Sequence, residues 1–388
     1  MKTISLEEAY ISPYFEKYCK LDGLLEYDVL TGKNKEKYNY LLDPDNIRFK
    51  QADKKNVTFV ISASVPGAQD LKDINEAPIF CKLTNDYFKY KIDAYNKTHN
   101  TYHSFFGILP FNNVESAINE LKRLNNFNPP INRVLFNGPT VNNNNYDWLE
   151  GNRWNKLWEY ANEHKTILYA HPFIAKSYSN TLPDPHMKKY IFKHLQIMAS
   201  QFGFHTNAAL FFLKLYINKT FDNYPNIQWI AGHMGENLLW FLWRFDHRTK
   251  IYRNEVKNLK QLGKTSHFMK FPKKTLTELF ITSKGKKHAQ IVSTTSGWFN
   301  TPALKFAIDV AGIDNVLFSI DTPYENFDVA MKWFDKLSLS GSNKSKLGWK
   351  NANDILSIFP KKYKKKTKKR KTVAHSNTKK RTKKVSNY

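Results

Sequence analysis

The sequence predicts an α/β chain closed into a (β/α)8 barrel, and three observations predict it. Eight short apolar runs recur along the chain, each bounded by polar residues, proline or glycine. Between them lie helical patterns with apolar residues near i, i+3, i+4 and i+7. No glycine-rich phosphate turn follows the first run, which disfavours the competing open, doubly wound sheet. Near-continuous apolar strands alternating with helices call for a parallel sheet covered on both faces, and eight repeats in 388 residues fit one closed barrel.

In chain order the strand candidates are residues 3–9 (TISLEEA), 57–64 (VTFVISAS), 102–111 (YHSFFGILPF), 131–139 (INRVLFNGP), 166–173 (TILYAHPF), 226–235 (NIQWIAGHMG), 289–297 (AQIVSTTSG) and 315–323 (NVLFSIDTP). All are short apolar stretches ending in turn-forming or polar residues. The segments VESAINELKRLNNF, RWNKLWEYANEHK and TPALKFAIDVAG read as crossover helices, and the asparagine runs VNNNNY and LNNFN as loop. The barrel is expected to occupy residues 1–360.

Charge is unevenly distributed. Of 60 Lys and Arg, 14 fall within residues 361–388, which contain none of the 34 acids, so more than half of the net +26 lies in that tail. Such a run buries no apolar area and is expected to be disordered: a polyelectrolyte for nucleic acid or another polyanion, a nuclear address, or a solubilising extension. It has no interleaved aromatic platform for base stacking. No apolar run approaches the roughly 18 residues that span a membrane. MKTISLEEAY has acids where a signal peptide would carry its apolar core, so no secretion signal is expected. Only Cys19 and Cys81 are present, which excludes a disulfide framework and fits the cytoplasm.

Barrel enzymes place reactive groups at the carboxyl ends of their strands. Glu7, His171, His233 and Asp321 each fall at such an end. A carboxylate there must be paired, hydrogen-bonded or bound to metal, because burying it alone costs about 3 kcal/mol or more. Glu7, His171 and Asp321 form a mixed oxygen and nitrogen set suited to one divalent ion, zinc, manganese or magnesium, with zinc the expected one. Such an open site chelates a carboxylate with its neighbouring hydroxyl or activates water; the donor set alone does not choose. Glu236 lies three residues after His233, close enough to orient the imidazole, although a helix cap with an incidental histidine explains the same spacing. Arg244 reaches an anionic or phenolic oxygen, or pairs with Asp246 or Asp321 as scaffold.

These residues resemble the metal-dependent decarboxylases of the amidohydrolase superfamily, relatives of aminocarboxymuconate-semialdehyde decarboxylase. The nearest branch is that of the gamma-resorcylate, dihydroxybenzoate and salicylate decarboxylases. The resemblance rests on ISLEEAYISP, SVPGAQDL, LYAHPF, NIQWIAGHMGENLLWFLWRFDHR, STTSGWFNTPAL, NVLFSIDTPYEN and NANDILSIF, in that order along the chain. It implies that Glu7, His171 and Asp321 are metal ligands, that His233 and Glu236 are the catalytic pair, and that Arg244 is an active-site arginine. It also implies a small aromatic acid substrate and a homo-oligomer, dimer or tetramer.

Several positions depart from the pattern. Ala9 stands where many members carry a further metal-binding histidine; in this it resembles the dihydroxybenzoate and salicylate enzymes, which also have alanine there. Trp298 replaces a small or amide residue, Thr322 an aromatic, Leu239 a proline and His205 a glutamate, and the basic tail is an addition. A tryptophan near the pocket would shrink or close it. The resemblance implies reversible, non-oxidative decarboxylation of an ortho-hydroxylated aromatic acid. A barrel without turnover that binds polyanions through its tail, and a metal-dependent hydrolase, are the alternatives.

Overall fold

The computed structural model describes residues 1–19, 35–63, 67–69, 71, 73–138, 140–142, 145–173, 200–261 and 271–360. The tail at 361–388 and part of SVPGAQDL lie outside them. Ten strands run in chain order: β1 (Thr3–Tyr10), β2 (Val57–Ala63), β3 (Ser104–Phe105), β4 (Arg133–Asn137), β5 (Thr140–Asn142), β6 (Asn145–Asp147), β7 (Ile167–His171), β8 (Gln228–Ala231), β9 (Ile291–Thr294) and β10 (Val316–Leu317). β5 and β6 form a separate antiparallel hairpin. The other eight coincide with the predicted runs, β1 extending one residue past its run to Tyr10, and make two parallel arcs, β1-β2-β3 and β4-β7-β8-β9-β10.

The arcs join at two seams. Between β3 and β4, the Gly107 N–H donates to the Arg133 carbonyl at 2.9 Å and Leu135 N–H to the Gly107 carbonyl at 3.1 Å. A Cβ at position 107 would meet Leu124 Cδ1 at 2.4 Å, so a larger residue there would force that leucine side chain to move. Between β10 and β1 the seam is made mainly by side chains. Ser319 Oγ accepts from the N–H groups of Glu7 (2.9 Å) and Leu6 (3.3 Å), and Ser5 Oγ accepts from Ile320 N–H at 2.8 Å. Here the run predicted at 315–323 shortens to a two-residue strand, because the N–H groups of Phe318 and Ser319 turn to Leu347 O and Thr295 Oγ1. The architecture is that of a (β/α)8 barrel whose last seam is stitched by serines rather than by a continuous ladder.

Nine helices are used below: α1 (Phe49–Lys54), α2 (Ala77–His99), α3 (Val114–Asn125), α4 (Asn155–Glu163), α5 (Gly203–Ile217), α6 (Leu238–Gln261), α7 (Leu276–Phe280), α8 (Thr301–Ala311) and α9 (Phe327–Lys336). Asn113, Asn300 and Asn326 cap α3, α8 and α9 by accepting from backbone N–H groups three residues on, and Thr275 with Glu278 closes a capping box on α7. No helix among the described residues is long and apolar enough to cross a membrane.

Strand alternation divides the core. Val134, Phe136, Leu168, Ala170, Trp229 and Ala231 pack outward in one apolar cluster with the helices. Phe136 meets Phe211 of α5 with ring centroids 5.3 Å apart. Their neighbours Leu135, Tyr169 and Ile230 are therefore turned into the barrel. That period-two rule is what carries His171, two residues past Tyr169, to the inner rim. Trp229 is fully buried among Trp158, Phe212 and Phe221, at 5.8, 6.2 and 5.6 Å between ring centroids. Trp229→Ala is expected to cost about 3–5 kcal/mol, read as a lowered denaturant midpoint.

Candidate active site

Glu7, near the end of β1, is buried to 1% exposure. Its Oε2 accepts a hydrogen bond from the Tyr169 hydroxyl. Its Oε1 lies 3.0 Å from His171 Nε2 and 3.5 Å from His233 Nε2. Oε1 has no well-aligned hydrogen bond, and what faces it is the pair of imidazole nitrogens as ion-pair partners. His171 Nδ1 donates to the Pro172 carbonyl at 2.8 Å, which turns the Nε2 lone pair toward the same space. Asp321 follows β10, and its Oδ2 is 3.5 Å from His233 Nε2.

His233 and Glu236 come from a run of left-handed backbone. His233, Met234, Gly235, Glu236 and Asn237 have φ of 41°, 55°, 83°, 53° and 65°. The sequence predicted strand through residue 235; the ladder stops at Ala231 and a left-handed turn begins. Each non-glycine residue in that conformation costs roughly 1–2 kcal/mol, the kind of strain that persists where surrounding contacts over-determine the chain. The turn stacks His233 on Glu236, with His233 Nδ1 donating to Glu236 Oε1 at 2.7 Å. His205 Nδ1, from α5, meets the other oxygen of Glu236 at 2.9 Å. Gly232 opens the turn because a Cβ there would meet Glu236 Oε1 at 2.7 Å and Tyr169 OH at 3.0 Å.

The charges are mutually set. Burial alone would raise the Glu7 carboxyl, but His233 and His171 hold it well below the usual carboxylate range. Burial, reinforced by Glu7, pushes Asp321 up to about 6. Burial opposes the charge on His233, yet Glu7 and Glu236 hold its imidazole protonated well above the ordinary histidine range. Glu236 stays ionised despite burial, chiefly because His233 faces it.

These donors fit a divalent cation. Ligand atoms of Glu7, His233 and Asp321 all lie within 4.8 Å of one another, and His171 Nε2 flanks the same Glu7 oxygen. Oε1 of Glu7, buried and without a well-aligned hydrogen bond, is an oxygen that would coordinate a cation. The expected ligand trio named His171 rather than His233; the structure brings both imidazoles to Glu7. A second compact set, His205, His233 and Glu236, is internally hydrogen-bonded through Nδ1 atoms.

Arg244 is not brought to this cluster. It is exposed on α6 and has neither of the partners considered from the sequence: Asp246 instead accepts from the N–H groups of Leu276 and Thr277 at the start of α7. Trp298 stands outside the Glu7–His171–Asp321 group, its indole edge-on to His205 at 6.0 Å. Gly297, with φ +63°, packs beside the cluster: a Cβ there would come within 3.6–3.7 Å of His233 Cδ2 and Asp321 Oδ2. Leu239 packs against Gly235. Tyr169, His205 and Ser319 are site residues that the sequence did not single out for this role. Tyr169 was legible as the inward neighbour of His171 by strand alternation; Ser319 was not, because a seam partner depends on register between the chain's two ends.

Comparison with known proteins matches this arrangement. The amidohydrolase family model aligns with residues 52–358. Gamma-resorcylate decarboxylase of Polaromonas sp. (strain JS666) is 27% identical over 327 residues, covering 82% of this chain and 89% of that protein. A crystal structure of 2,6-dihydroxybenzoate decarboxylase complexed with 2,6-dihydroxybenzoate superposes with a TM-score of 0.73 at 25% identity, covering 92% of this chain and 99% of that one. Dihydroxybenzoic acid decarboxylase from Polaromonas sp. JS666, solved with manganese and 2-nitroresorcinol, also gives 0.73 at 25% identity, covering 92% and 97%. With most of its length matched by the family model and the donor cluster at the rim of the barrel, the chain belongs to the amidohydrolase family.

Proposed function

We propose that the protein is a metal-dependent, non-oxidative decarboxylase of an ortho-hydroxylated aromatic carboxylic acid. One observation carries the reading: a buried Glu7 carboxylate whose Oε1 is faced by the nitrogens of His171 and His233, with Asp321 on the far side of His233, so that four metal-ligating side chains from separate strand ends converge. The relatives support it, being gamma-resorcylate and dihydroxybenzoate decarboxylases by name. Glu7, His171 and Asp321 would hold one divalent ion. When bound, it supplies a fixed positive charge that orients a carboxylate with its ortho hydroxyl. The manganese in a related structure supports manganese at least as well as the zinc expected from the donor types.

The chain's own residues then move the proton. The protonated carboxyl of Asp321 delivers its proton to the ring carbon that bears the carboxylate. That carbon's bond to the carboxylate breaks, carbon dioxide leaves, and its electron pair restores the aromatic ring. His233 Nε2, 3.5 Å from Asp321 Oδ2, returns a proton to Asp321 and is itself reprotonated from solvent, since each turnover consumes one proton. Glu236 stabilises the imidazolium from Nδ1, and His205 keeps Glu236 in place. Burial of all four groups excludes competing water. The same steps reversed carboxylate a phenol at high bicarbonate.

We also propose a homo-oligomer. Trp240 and Trp243 on α6 are 71% and 72% exposed, too much aromatic surface for a face meant for water. Arg244 shares the Trp240 stripe at i+4, so any contact it makes with an active site requires a neighbouring copy. Residues 361–388 are proposed to act as a separate polyanion-binding extension of a barrel ending near residue 360. Cys19 and Cys81, both buried, support a reducing, cytoplasmic setting.

Asp321→Asn is expected to lower kcat by at least about a thousandfold with the circular dichroism spectrum unchanged, since it removes the proton donor. Carbon dioxide release from a panel of hydroxybenzoates measures it; retained turnover would contradict the mechanism. Stripping metal with a chelator should abolish that release and manganese or zinc should restore it. Trp240→Asp together with Trp243→Asp is expected to reduce the molar mass in light scattering to that of one 45.5 kDa chain.

A further inference from the structure

Thr322, one of the positions that departs from the family pattern, is buried to 1% directly after Asp321. Its hydroxyl donates to Glu8 Oε2 and accepts from Arg48 Nη2 at 2.8 Å. Arg48, the residue before α1 and itself 1% exposed, also donates through Nη2 to the Thr322 carbonyl at 3.0 Å and through Nη1 to the Ala9 carbonyl. Glu8, fully buried, accepts from Ser5 Oγ and from the Thr322 N–H at 3.3 Å, with Arg48 Nη2 3.8 Å away. Ala9 N–H completes the set by donating to the Thr322 carbonyl at 2.8 Å.

One guanidinium fork therefore ties the two residues that follow Glu7 to the residue that follows Asp321. Glu7 and Asp321 lie on opposite sides of the serine seam, 314 residues apart in sequence, and the seam has no continuous ladder to fix their separation. Asp321 also has φ +84°, a conformation that an aspartate holds only when its neighbours leave no alternative. The planar guanidinium presents its donors in a rigid geometry, which suits it to fix that turn. An aromatic ring at position 322 could neither bond Glu8 in this way nor accept from Arg48.

We propose that Arg48, Glu8 and Thr322 are positioning residues for the metal centre: a buried clamp that holds the Asp321 carboxylate in register with Glu7 and so sets the affinity for the ion. The inference rests on the metal reading given under Proposed function. The clamp touches neither substrate nor ion; it acts through the backbone on either side of two ligands.

The test is manganese titration of the metal-stripped full chain, followed by electron paramagnetic resonance, with thermal melting of the metal-free protein alongside. Thr322→Val removes the hydroxyl and keeps the shape, and Thr322→Ser restores the hydroxyl. Partners behind metal ligands typically contribute about 10–100-fold in metal affinity, so the valine variant is expected to bind manganese at least about tenfold more weakly, and the serine variant within about threefold of the parent. The activity lost in the valine variant should be titrated back by excess manganese, which a general loss of folded protein would not allow. Should Thr322→Val fail to fold, Arg48→Lys keeps the charge, loses the fork, and is expected to weaken manganese binding in the same way. Unchanged manganese affinity in the valine variant, or an equal loss in valine and serine variants, overturns the clamp while leaving the metal reading intact. A parent protein that binds no manganese or zinc overturns both.

Discussion

A carboxylate buried at the rim of a barrel, with imidazole nitrogens 3.0 and 3.5 Å from one of its oxygens, is the constraint around which this molecule is arranged. Leaving such an oxygen unmatched costs on the order of 1–3 kcal/mol, more when it is ionised. The surrounding groups answer that cost in a consistent way. Tyr169 satisfies the other oxygen of Glu7, His171 is anchored from behind by the Pro172 carbonyl, and His233 is anchored from behind by Glu236. Each imidazole thereby presents Nε2 to the same space, an arrangement that makes sense for gathering a cation and little sense for a core.

Holding that arrangement requires unfavourable backbone. The left-handed turn from His233 to Asn237 and the positive φ of Asp321 both lie at the ends of parallel strands, where the ladder can no longer impose geometry. Polar side chains take over that work. Ser5 and Ser319 sew β1 to β10, and His205 fixes Glu236 from α5. The consequence is a site built on strand ends but positioned by residues remote in sequence.

The fold was legible because hydrophobic periodicity is local: eight apolar runs and their crossover helices can be read a window at a time, and the eight barrel strands match those runs, whereas the hairpin of β5 and β6 formed where the polar run VNNNNY read as loop. Glu7, His171, His233 and Asp321 were legible for the same reason, as polar residues at the ends of apolar strands, and the structure brings all four together. Contacts that depend on register or on backbone handedness were hidden. The glycine in GHMGE is a weak hint of positive φ, but nothing in the string says that His233 and Glu236 share that conformation. Arg244 shows the converse: a residue in a well-matched segment that points away from its own barrel mouth, because helix phase rather than segment identity decides direction. Thr322 read as a departure from pattern, and its partners Glu8 and Arg48 became visible only once β1 and the chain's far end were side by side.

The most direct test of the central claim is metal stoichiometry by calorimetric titration of the stripped protein with manganese or zinc, compared with Glu7→Gln. The account predicts one ion per chain in the parent and loss of that binding in the variant, because the amide removes the buried charge. Equal binding by parent and variant, or none by the parent, would contradict it.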